Sequence, residues 1–91
     1  MTTPQDDAHA LFATLDRLLE SMIDQQRAKV LRTAQRLRPN VTDDDLFDPH
    51  SIPEIADHPG FTFEDGLLAG LVAARVALTR ETGEFVRKRG K

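Results

Sequence analysis

The residues with the greatest chemical reach lie between Asp43 and Asp65, where eight carboxylates, His50 and His58 share a short stretch with three prolines. Asp43, Asp45 and Glu54 match positions one, three and twelve of an EF-hand calcium loop, which needs oxygen ligands at fixed offsets. The remainder of that pattern fails. Phe47 falls at position five, Asp48 at six where the tight turn needs Gly, Pro49 at seven and His50 at eight. Asp43 to Asp45 are therefore read as helix-start charges. His50 and His58, flanked by Asp48 and Asp57, have the ligand chemistry of a zinc site. They stand eight apart across Pro53, without the HExxH or ExxH spacing of a helical metal site. Asp48-Pro49-His50 and Asp57-His58-Pro59-Gly60 read instead as the stops of two short helices. A metal-dependent helical enzyme built on these residues is the weakest of three functional readings.

Other catalytic chemistry finds less support. The absence of Cys removes thiol nucleophiles, and the two serines, Ser21 and Ser51, lie in no nucleophile elbow and beside no identifiable base. Glu64 and Asp65 suit a helix start. Gly66 and Gly70 are not a phosphate loop, because no strand precedes them and no Lys-Ser or Lys-Thr comes after. The sequence thus predicts no enzyme, no cofactor and no metal site. His9, near the start of the chain, reads as a partly exposed packing residue.

The one suggestive charged surface is Arg27, Lys29, Arg32 and Arg36, with Arg38 next and no acid between them. An acidic protein partner or a nucleic-acid backbone would suit it. The protein's own acidic connector would suit it too: residues 1–26, 27–38, 39–65 and 66–91 carry formal charges of −4, +5, −8 and +4, so opposite signs meet at both ends of an antiparallel hairpin. The net charge of −3 and the lack of Trp and Tyr disfavour a general nucleic-acid coat or a base-stacking platform. A nucleic-acid-associated regulator is the second reading.

Positioning these groups are helices alone, so the fold class is all-α and 91 residues make one domain. Thr3 as cap, Pro4 and Asp6 open the first helix. Phe12, Leu15, Leu19, Ile23, Gln26, Val30, Ala34 and Leu37 then recur at steps of three or four, without Gly or Pro before Pro39. This predicts one helix over 4–37, about 50 Å long. Residues 38–62 form a connector with two short helical turns. Thr42 and Asp43 to Asp45 cap the first, burying Leu46 and Phe47; a Ser51–Glu54 capping box opens the second, over Ile52 and Ile55. Thr62 and Asp65 cap a second helix over 63–82, with Phe63, Leu67, Gly70 or Leu71, Ala74 and Leu78 inward and Gly83 as its stop; a basic tail occupies 84–91. Gly66, Gly70 and Ala74 form a ridge without bulk. Each interior glycine costs about 1 kcal/mol relative to Ala, a penalty explained if the first helix approaches closely there.

A helix of about 50 Å against one of about 30 Å leaves some 20 Å of apolar stripe without an intramolecular partner. The expectation is an antiparallel helical hairpin that dimerises into a four-helix bundle, with Phe12, Leu15, Leu19, Ile23, Val30, Gly66, Gly70 and Ala74 carrying helix or dimer packing. The leading functional reading is a noncatalytic interaction or adaptor protein acting as a homodimer. No apolar run is long enough for a membrane span and the start lacks the blocks of a signal peptide, so a cytoplasmic protein is expected. Ten Ala, and nine Arg against three Lys, resemble the output of a high-GC bacterial genome.

Overall fold

The computed structural model describes residues 4–89; Thr3, the expected cap, and the last two tail residues, Gly90 and Lys91, lie outside the described residues. Every regular element among the described residues is helical. Helix α1 spans Pro4–Leu37, the predicted range. It ends where Arg38 donates its N–H to the Ala34 carbonyl, 2.8 Å, and Pro39 prevents continuation. Two 3-10 turns, Asp44–Phe47 and Pro49–Ser51, and the one-turn helix α2, Pro53–Ala56, make up the connector. Helix α3 spans Pro59–Arg89 and runs antiparallel to α1.

Thr42 and Asp45 cap the first turn reciprocally: the Thr42 N–H donates to the Asp45 carboxylate at 2.9 Å, and the Asp45 N–H donates to the Thr42 hydroxyl at 3.4 Å. The turn does not bury both of its apolar residues. Leu46 packs on the core, whereas Phe47 is 88% exposed. With three residues per 3-10 turn, neighbours point about 120° apart, so only one of the pair can face inward. Before α2 the Ser51 hydroxyl donates to the Asp48 carbonyl, 2.8 Å, in place of the expected capping box, and Ile52 is the cap residue, succeeded by Pro53.

Helix α3 starts earlier and ends later than its sequence signals suggest. Pro59 takes the first helical position, where its missing N–H costs nothing. The Gly60 N–H donates to His58 Nδ1 at 3.2 Å, and Thr62, the expected cap, is already internal, donating its N–H to the His58 carbonyl. At the other end Gly83 keeps a negative φ and the helix passes through it, because Phe85 beyond it packs edge-on against the rings of Phe12 and His9, with centroids 5.6 and 5.7 Å apart. The two helices therefore have 34 and 31 residues, and the hairpin is a rod of 55 × 21 × 20 Å. The expected 20 Å overhang of α1 is absent.

The residues withdrawn from solvent define the seam. In α1 the seam runs through His9, Phe12, Asp16, Leu19, Ile23, Gln26, Val30, Thr33 and Leu37, with Ala8, Leu31 and Ala34 also withdrawn beside it; in α3 it runs through Phe61, Glu64, Leu68, Leu71, Arg75, Leu78, Thr82 and Phe85, with Glu84 beside it. Both series alternate steps of three and four, the spacing of two helices packed as a coiled coil. Phe12, Leu19, Ile23 and Val30 thus lie where the periodicity puts them, but Leu15 does not. The expected inner face of α3 is partly displaced: Leu71 and Leu78 lie in the seam as expected, but Phe63, Leu67, Gly70 and Ala74, with Gly66 of the small-residue ridge, face outward. A Cβ built on Gly66 or Gly70 would meet nothing within 4 Å, so no close backbone approach occurs within the protomer.

Burial is uneven along the rod. Val30, Ala34, Val41, Ile52, Ile55 and Phe61 form one core at the connector end, with Leu31, Leu37, Leu46 and Leu68 packed around it. In the open half, residues 6–22 and 71–85, no residue reaches full burial.

Candidate interaction surface

Two polar layers cross the seam. Near the open end Arg75 donates from Nε and Nη2 to the two carboxylate oxygens of Asp16, at 2.9 and 3.2 Å, and Nη2 also reaches Glu20 at 3.5 Å. The Arg75 hydrogen bond holds the Asp16 carboxyl below its ordinary range, and in return Asp16 raises the guanidinium. Near the connector Gln26 donates to both the carboxylate and the backbone carbonyl of Glu64, at 2.8 and 2.9 Å, and Lys29 Nζ lies 3.3 Å from the same carboxylate. The Gln26 hydrogen bond, and after it Lys29, lowers Glu64 below the usual carboxylate range. These groups carry structure.

The seam divides the rod into two flanks. One holds an open groove of about 650 Å³ lined by Glu20, Arg27, Val72, Val76 and Thr79 beside the Asp16–Arg75 pair. On the other flank Met22, Gln25, Lys29 and Leu71 line one shallow depression, so the rows of α1 and α3 that share this side run through Leu15 and Met22 and through Leu67 and Ala74. Leu11, Leu15, Leu18 and Met22 stand here at steps of four, three and four, all exposed. On the same flank α3 presents Phe63, Leu67, Gly70, Ala74 and Ala77, also exposed and at the same spacing; Gly70, Ala74 and Ala77 stand level with Met22, Leu18 and Leu15, whereas Phe63 and Leu67 stand level with Lys29 and Gln25. Four successive positions on α1 and five on α3 carry no charged or polar side chain.

The basic residues do not form one patch. Arg27 lies on the groove flank, 3.9 Å from Asp24. Lys29, Arg32 and Arg36 continue the row of Leu18 and Met22 toward the connector, where Lys29 is engaged by Glu64 and Arg36 donates to the Thr33 hydroxyl at 3.2 Å. Among the described residues, no three His, Cys, Asp or Glu side chains cluster as a metal ion would require, and His58 is turned back onto its own helix start. None of the described helices is long and apolar enough to cross a membrane.

Sequence reasoning missed Leu11, Leu18 and Met22 as a separate surface because they widen the apolar face of α1 without breaking its period. It missed Glu64, Arg75 and Thr82 as seam residues because they are polar. The signal available was the period of α3 counted from Phe61 to Phe85 without regard to hydropathy. No family model, curated protein or solved structure matches this chain.

Proposed function

We propose that this chain is a noncatalytic helical interaction module that docks through the flank bearing Leu11, Leu15, Leu18, Met22, Phe63 and Leu67, and that it acts as a homodimer. The observation that carries this reading is the exposure of all six large apolar side chains on one side of a hairpin whose helices are already matched in length. Exposed contiguous apolar surface of this extent marks an interaction site in soluble proteins. The sparse burial of the open half supports the same reading, since the ridge on α1 lies in that half. A nucleic-acid role draws less support: Arg27 is on the opposite flank from Lys29, Arg32 and Arg36, and Lys29 is spent on Glu64.

The test is mass in solution by light scattering over a range of concentrations. The wild-type chain is expected at twice its 10.2 kDa. Leu18→Glu, at a position 54% exposed in the protomer, is expected to keep its helical content and run as a monomer; Val76→Glu, equally exposed on the other flank, is expected to stay dimeric. A wild-type monomer at high micromolar concentration overturns the proposal.

A further inference from the structure

We infer that the second copy docks by a twofold axis parallel to the rod, laying the Leu11–Leu15–Leu18–Met22 ridge of each α1 into the Gly70–Ala74–Ala77 trough of the partner's α3. This rests on the reading above that the flank is a homodimer surface. The levels along the rod are set by the seam: Asp16 faces Arg75 and Gln26 faces Glu64, so Leu15, Leu18 and Met22 lie at the height of Ala77, Ala74 and Gly70. On this flank each protomer therefore presents bulk on one helix and a shallow strip beside it at the same height.

Only one face-to-face twofold arrangement uses that pairing. An axis along the rod places α1 over the partner's α3 at equal height and antiparallel, so large side chains enter the trough and all neighbouring helices alternate in direction. An axis across the rod instead stacks ridge on ridge and trough on trough. That leaves overpacking along one side and empty space along the other, both unfavourable in a close-packed interface. The apolar surface on this flank approaches that of a stable interface, with Phe63 and Leu67 level with Lys29 and Gln25 of the other copy rather than with its ridge. The exposures of Leu11, Leu15, Leu18, Met22, Phe63 and Leu67, from 36% to 64%, leave about 600 Å² of these side chains to be covered per protomer, before the alanines are counted, against the ~800 Å² per partner of a standard stable interface. Gly70 then has a role that the protomer does not give it: its missing side chain admits Met22 and Leu18 of the partner copy.

The chain has no Cys, so introduced thiols report unambiguously. Leu18→Cys and Ala74→Cys single variants, mixed in equal amounts and oxidised, are expected to form a disulfide dimer linking 18 to 74, because bridging requires Cα atoms within about 7 Å. Leu15→Cys mixed with Ala77→Cys is expected to do the same, and each variant oxidised alone is expected to give at least tenfold less. Self-linking of Leu18→Cys in preference to the mixture places the axis across the rod and overturns the inference while leaving the dimer intact. A dimeric mass with neither mixed pair linked overturns it as well, and a monomeric mass overturns the homodimer beneath it.

Discussion

Gly66 and Gly70 separate what the protomer needs from what its partner needs. A methyl group added at either meets no atom within 4 Å in the protomer, so the only local effect of Gly66→Ala is the lost backbone freedom of the unfolded chain. That is worth about 0.5–1 kcal/mol per site in a helix interior. For a domain of this size it raises the melting temperature by about 2–8 °C. Gly66 lies on the outer side of α3, away from the proposed trough, so Gly66→Ala is expected to stabilise at every protein concentration. Gly70→Leu is expected to leave the dilute protomer at least as stable as wild type, and to remove the concentration dependence of melting by filling the trough. Circular dichroism melts at low and high micromolar concentration read both effects. A fall of several degrees for Gly66→Ala refutes the outward placement of this face, and an undiminished concentration dependence in Gly70→Leu refutes the trough.

The seam and the core supply two more expected outcomes. Asp16 and Glu64 titrate below their ordinary range when folded, so between those two limits the unfolded chain binds more protons. Their contribution is present above the ordinary carboxylate range and is lost as pH falls through the folded values; Asp16→Asn and Glu64→Gln are each expected to flatten the acid limb of a stability profile measured by urea titration, and an unchanged limb in both contradicts the assignment. Ile55→Ala removes a fully buried side chain at the centre of the core and is expected to cost about 2–4 kcal/mol by the same titration; a loss under 1 kcal/mol would mean that this end of the rod is loosely packed.

The helical class, the hairpin and both limits of α1 were legible because Pro4 and Pro39 bracket an uninterrupted period. Ile52 and Ile55 were legible as buried on a different ground, each lying just after a residue of the Ser51–Glu54 helix-start signal. The face of α3 was misread because hydropathy favours Phe63 and Leu67 over Glu64 and Arg75, and only the cross-seam partners Gln26 and Asp16 make the polar choice acceptable in the interior. The limits of α3 were missed because proline and glycine have two meanings. Pro59 starts a helix as readily as it stops one, and Gly83 ends a helix only if the chain beyond it has no reason to continue; Phe85, stacked on Phe12, supplies that reason. Among the basic residues, Lys29, Arg32 and Arg36 share one side of the seam as their spacing requires, and Arg27 lies on the other.

The two polar rungs also fix the alignment of the hairpin. They are chemically unlike, and they are spaced ten residues apart on one rail and eleven on the other. Sliding α3 by one heptad would set the Asp16 carboxylate against Leu68 or Thr82, stranding Arg75 as well, while Gln26 would face Leu71 or overrun the start of α3 at Pro59. A repeat as regular as this one would otherwise tolerate such a slip with little loss of greasy contact. The rungs act as a combination lock with a single setting, so the rod holds its length and its outer rows stay at fixed heights for whatever docks beside them.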